Sequence, residues 1–127
     1  MKRLPEISDA EWVVMRVVWD KHPCTAQEIV AALESAQDWN PRTIKTMLNR
    51  LIKKGALGFK TEGKRYLYFP RVKQSECVRA ESKSFLKRVF GGALAPMVAH
   101  FVDTDELSEA DLEELRRLLA RKKEPRS

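Results

Sequence analysis

Four times along this 127-residue chain a polar capping residue stands just ahead of an apolar run of helical period, and that repetition commits most of the chain to helix. In Ile7-Ser8-Asp9-Ala10-Glu11-Trp12, the Ser8 hydroxyl is placed to accept from the Glu11 backbone while the Glu11 side chain reaches back, and Ile7 can pack on Trp12. Cys24-Thr25 with Glu28 and Ile29 repeats the pattern, and Leu107-Ser108 with Asp111 and Leu112 repeats it again. Trp39-Asn40-Pro41 with Ile44 is the remaining start: Asn caps, and Pro occupies the first helical position, where its missing N–H costs nothing.

Periodicity then gives lengths. A first helix over about 8–21 is apolar around most of its circumference, through Ala10, Val14, Val17 and Val18 and through Trp12, Met15 and Trp19, and should be the central one. A second over about 25–36 carries Ala26, Ile29, Val30 and Leu33, and a third over about 41–54 carries Ile44, Met47, Leu48 and Leu51 before Gly55 stops it. There the period shortens to two. Leu57–Glu62 and Tyr66–Pro70 read as strands of a hairpin turning at Gly63-Lys64-Arg65.

Helical spacing resumes with Val78, Phe85 and Val89, is broken by Gly91-Gly92, and returns with Leu94, Met97, Val98, Phe101 and Val102. A last helix over about 109–123 presents Leu112, Leu115, Leu118 and Leu119, and KKEPRS reads as a loose tail. The expected fold is mainly α with a small β-hairpin wing: a winged helix-turn-helix over 1–73, followed by a helical dimerisation segment over 74–127. Three thin amphipathic helices cannot enclose a core alone, and a second copy of the segment would supply the missing half, so a homodimer is expected.

Charge assigns a task to the first part. Between Pro41 and Lys73 ten Lys or Arg face one acid, Glu62. Residues 1–75 hold all of the chain's net charge of +6, while 76–127 are balanced with ten of each sign. A surface that needs only solubility mixes both signs, so such an excess points to a polyphosphate partner. With Ile44, Leu48 and Leu51 inward, the third helix turns Arg42, Thr43, Lys45, Thr46, Asn49, Arg50 and Lys53 outward, with Thr43, Thr46 and Arg50 forming one stripe. Arg reads guanine, Asn reads adenine, and Thr meets thymine methyls or phosphates in the major groove of double-stranded DNA. Lys64 and Arg65 at the hairpin tip, with Tyr66 beside them, suit a wing that follows the neighbouring backbone. An exposed helix face is ordinarily charged, and it is the near absence of acids over 33 residues that favours the DNA reading. A winged-helix interaction module for an acidic protein partner is the alternative.

Other classes find little support. His22 and His100 lie far apart, no Ser or Cys has a base nearby in sequence, and no phosphate loop or metal-ligand spacing appears, so neither an enzyme nor a cofactor or metal site is expected. Cys24 and Cys77 lack CxxC spacing and read as reduced structural thiols. The start MKRLPEISDAEW lacks the apolar core of a secretory signal, and no run of about 18 apolar residues is present. No membrane insertion and a cytoplasmic location are expected.

The segments ISDAEWVVM, DWNPRTIKTMLNRLIKKG, the Lys64–Phe69 wing and FVDTDELSEADLEELRRLL resemble, in order and spacing, the penicillinase repressors of the BlaI/MecI type, over residues 7 to 120. The resemblance implies a dimeric repressor on a palindromic operator, typically of β-lactam resistance or related stress genes, with Arg42, Thr43, Lys45, Thr46, Asn49 and Arg50 in the recognition role. It also implies a membrane-bound metalloprotease sensor as partner, releasing the repressor by cleavage within the dimerisation segment. The matching bond is His100-Phe101, where the characterised relatives carry Asn-Phe. A copper-responsive branch of the family bears a cysteine-rich carboxy-terminal motif, and here no cysteine follows Cys77.

Overall fold

The computed structural model of the chain describes residues 4–123. Its elements are α1 (Asp9–Lys21), α2 (Ala26–Leu33), α3 (Pro41–Lys54), β1 (Leu57–Glu62), β2 (Arg65–Pro70), α4 (Gln74–Phe90), α5 (Leu94–Asp103) and α6 (Glu109–Lys123). Two compact units divide inside α4, between Arg79 and Ala80. The tail read at 122–127 lies mostly outside the described residues, and α6 runs on through Lys123.

All four helix starts form as the capping chemistry requires. Glu11 N donates to Ser8 Oγ at 3.2 Å and Ser8 N to Glu11 Oε1 at 2.9 Å. The same reciprocal pair joins Thr25 with Glu28 at 3.0 and 3.1 Å, and Ser108 with Asp111 at 3.1 and 3.0 Å. Asn40 Oδ1 accepts from Thr43 N at 2.9 Å. Gly55 stops α3 in the left-handed region at φ 83°, where an L side chain would be strained, and its N–H returns to the last turn. Two boundaries differ from the periodicity. α2 ends at Leu33 rather than near 36, because Ala36 N and Gln37 N both fold back onto the Leu33 carbonyl as a turn. β2 begins at Arg65 rather than Tyr66: Glu62 pairs with Arg65 in an antiparallel register, leaving a two-residue turn with Gly63 at φ 64°.

In the first unit α1 touches α2, α3 and β2, the central placement expected of a helix apolar on most sides. Val14, Met15 and Val18 meet Ile29 and Leu33 from α2, Ile44, Leu48 and Leu51 from α3, and Leu57 and Tyr68 from the hairpin. Each such side chain contributes roughly 1.5–3 kcal/mol by leaving water. Cys24 exchanges both backbone hydrogen bonds with Tyr68, at 3.0 and 2.7 Å, so the segment entering α2 joins the free edge of β2 through a single bridge. Trp19 Nε1 donates to the Val72 carbonyl at 3.0 Å and fixes the exit from β2. Both cysteines are buried and free, and burial pushes each thiol up, away from the reactive thiolate.

One buried residue escaped the sequence reading. Glu11 is only 2% exposed, and besides closing the Ser8 cap it holds an ion pair with Lys54 at the end of α3. Lys54 also donates to the Glu6 carbonyl at 2.9 Å. Burial pushes the Glu11 carboxyl up, but the Lys54 ammonium and the Ser8 N–H outweigh it and hold the group below its ordinary 4.5.

The second unit is built differently. Among its described residues none of α5 is buried, and Phe85, Val89, Leu94, Phe101, Val102, Leu112, Leu118 and Leu119 all lie exposed.

Because Glu11 has a lowered folded value, its ionisation stabilises the fold above the unfolded carboxylate value, and that stabilisation is lost as pH falls through the folded one. Lys54→Met should therefore cost roughly 1–3 kcal/mol in urea unfolding at pH 7, less than a fully enclosed pair because the lysine stays half-exposed. The deficit should shrink at an acid pH below the folded carboxyl value, where protonation removes the ion pair from the wild type as well. Lys53→Met should stay within about 0.5 kcal/mol of the wild type. A Lys54→Met deficit of equal size at both pH values would assign the loss to packing.

Candidate nucleic-acid interface

The direction of the α3 side chains follows from which of them the core takes. Ile44, Met47, Leu48 and Leu51 are buried. At 100° per residue the line opposite them carries Arg42, Thr46, Asn49 and Lys53, spaced by four, three and four residues, with Lys45 on one flank and Arg50 on the other. All six are exposed. Thr43 lies beyond Arg50 on its flank, so of the stripe expected through Thr43, Thr46 and Arg50 only Thr46 stands on the crest. Thr43 is half-buried, and its hydroxyl donates to Asn40 Oδ1 at 3.2 Å, so it serves the cap first. The Thr46 hydroxyl donates back to the Arg42 carbonyl at 3.0 Å. Its methyl and a remaining oxygen lone pair are what it offers outward.

No acid stands in the first turn of α3, and Arg42 sits there against the helix dipole. Arg42, Lys45, Arg50, Lys53 and Lys64 have no salt-bridge partner among the described residues. Lys54 and Arg65 do have one. Arg65 Nη2 meets Glu62 Oε1 at 2.7 Å, which raises the guanidinium further above its ordinary value. The excess seen in sequence is thus not uniformly available: one cation closes the fold and another is tied at the wing tip.

The wing carries an aromatic row. Phe59 faces Tyr68, and Thr61 faces Tyr66, on one side of the hairpin. The Phe59 and Tyr66 ring centroids are 4.6 Å apart, and the rings are 43% and 49% exposed. Tyr66 is therefore packed and accessible together, whereas Tyr68 is buried in the core. Phe59 was not among the candidate residues. Its alternation with Leu57 placed it on this face, but only the structure shows that the core ends at Leu57 and leaves Phe59 outside it. Lys60 and Arg71 are exposed as well.

Outside this surface, no group of His, Cys, Asp or Glu among the described residues could hold a metal ion. His100 and Phe101 lie in the last turn of α5, both exposed, with ring centroids 5.8 Å apart.

Three helices, the third with an outward cationic line, and a hairpin rising beside it make up the fold of a winged helix-turn-helix regulator. The chain belongs to the penicillinase repressor family, which it matches over residues 7–121. It is 42% identical over 119 residues to the penicillinase repressor of Bacillus licheniformis, covering 94% of this chain and 93% of that one. It is 38% identical over 117 residues to the methicillin resistance regulatory protein MecI of Staphylococcus aureus, covering 92% and 95%. A solution structure of the monomeric form of Bacillus licheniformis BlaI in complex with the blaP half-operator superposes with a TM-score of 0.53 at 45% identity, covering 60% of this chain and 93% of that one. These relatives are repressors, and the protein is a regulator rather than an enzyme.

Replacing Asn40 with Ala should cost about 1 kcal/mol of stability by unsatisfying the first turn of α3. Faster amide exchange at Thr43 with unchanged exchange in α1 would locate the loss at the cap.

Proposed function

We propose that the protein is a homodimeric transcriptional repressor that places two copies of α3 in successive major grooves of an inverted-repeat operator and so blocks transcription of β-lactam resistance or related stress genes. The observation that carries this reading is the outer face of α3, where Arg42, Lys45 and Lys53 surround Asn49 with no salt-bridge partner among the described residues. A relative of 45% identity is solved on a half-operator, which supports DNA as the partner over an acidic protein. Arg50 and Asn49 are assigned to base edges, Arg42, Lys45 and Lys53 to phosphates, Thr43 and Thr46 to the groove wall, and Lys64 with Tyr66 to the flanking backbone. A protein acting on chromosomal DNA works in the cytoplasm, and no single described helix is long and apolar enough to cross a membrane.

The second unit supports dimerisation by what it leaves uncovered. Its large apolar side chains find no core in one chain, and a second copy laid on the same helices would bury them on both sides. Linking two modules multiplies affinity by effective concentration, typically about 10² to 10⁴ fold, so separating them is enough to clear the operator. Cleavage at His100-Phe101 by a membrane-bound metalloprotease sensor would detach α6 and achieve this. The His100 carbonyl accepts from Thr104 N at 3.0 Å and from Thr104 Oγ1 at 2.8 Å. A protease needs an extended backbone, so the end of α5 must unwind before the bond is cut.

Arg50→Ala should weaken operator binding by roughly 1–3 kcal/mol and binding to random duplex much less. Equal losses on both would make Arg50 a phosphate contact. A chain ending at His100 should sediment as a monomer and bind the operator at least about 100-fold more weakly than the full chain. Unaltered sedimentation and affinity would contradict release by cleavage.

A further inference from the structure

We propose that Glu62 is an affinity-setting residue: by holding Arg65 across the wing tip it keeps one cation off the DNA and lowers the affinity of each module for its half-site. This rests on the DNA reading given above. Glu62 is the single acid among the eleven charged residues from Pro41 to Lys73, and it occupies the strand position paired with Arg65. The contact is 2.7 Å, with both side chains more than half exposed. An exposed pair of this kind adds little to stability, so structural need does not account for an acid in the middle of a cationic surface.

A second carboxylate acts on the same arginine. Glu28, in the first turn of α2, lies within electrostatic reach of Arg65, although the Thr25 backbone and hydroxyl are what chiefly lower its carboxyl, as Glu62 is what chiefly raises the guanidinium. Glu28 is itself held by the Thr25 backbone and hydroxyl, at 3.0 and 3.1 Å, and stays where the cap fixes it. Arg65 thus pairs with one acid and lies in the field of a second, while neighbouring Lys64 has no salt-bridge partner among the described residues. A phosphate approaching the tip meets Lys64 as a free cation and Arg65 as half of a neutral pair. The functional value of such restraint lies in release. A module that bound phosphate with every cation it carries would persist on DNA after the two copies were separated.

The test compares wild type, Glu62→Gln and the double variant Glu62→Gln/Arg65→Gln, each as the full chain, on operator and on random duplex between 50 and 300 mM salt (about the range over which counterion release is read). Glu62→Gln should bind both duplexes about five- to tenfold more tightly near 0.1 M salt, with the slope of log affinity against log salt steeper by about 0.9, one further phosphate contact. The gain should be equal on the two duplexes, because a phosphate carries no sequence information. Adding Arg65→Gln should return both readings to wild type. Unchanged or weaker binding by Glu62→Gln would overturn the proposal, as would a gain that survives loss of Arg65. A wild-type protein with no salt-dependent affinity for any duplex would instead refute the DNA reading itself.

Discussion

Everything this surface can do depends on one packing constraint, the burial of Ile44, Met47, Leu48 and Leu51 against α1 and β1. A helix has only one way to place four residues at these spacings in a core, and doing so turns the opposite line outward without further instruction. The hydrophobic effect thus aims polar chemistry that it does not itself favour. Capping by Asn40 and the left-handed stop at Gly55 set the ends of the same helix. On the proposed function, recognition is then a consequence of how α3 is held, and the polar residues on its crest are free to differ without cost to the fold.

Charge in the first unit separates into three uses. Lys54 answers a buried carboxylate, so it belongs to the fold although it lies in the same run of cations as Lys53. Arg65 is neutralised at the wing tip by the lone acid of the basic stretch. The cations on the outer face of α3 and at Lys64 have no salt-bridge partner among the described residues and, on the proposed function, supply the electrostatic attraction for DNA. Counting Lys and Arg in sequence therefore overstates the cations that can release counterions on binding. Geometry divides them, since an ammonium within reach of a desolvated carboxylate is worth more there than in solvent.

The two units rest on different physics. The first closes around α1 with side chains from three helices and a hairpin, and a single bridge through Cys24 ties the start of α2 to β2. The second exposes most of its large apolar side chains, which in a single chain would be an unpaid cost in hydration. On the proposed reading a second copy covers that face, and the balanced charge of residues 76–127 sets no electrostatic barrier to it.

Local grammar determined the helices and their starts in advance. Ser8 with Glu11, Thr25 with Glu28, Asn40 with Thr43 and Ser108 with Asp111 are contacts within four residues, so their hydrogen bonds are written in neighbouring letters. The hairpin and the inward face of α3 were legible for the same reason, through period. What remained hidden involves residues far apart in the chain. That Glu11 is buried and meets Lys54 forty-three positions away, and that Phe59 falls just outside the core while Tyr68 falls inside it, were both decided by tertiary packing. Short-range hydrogen bonding needs only local sequence, whereas burial and charge pairing depend on which distant surfaces close together.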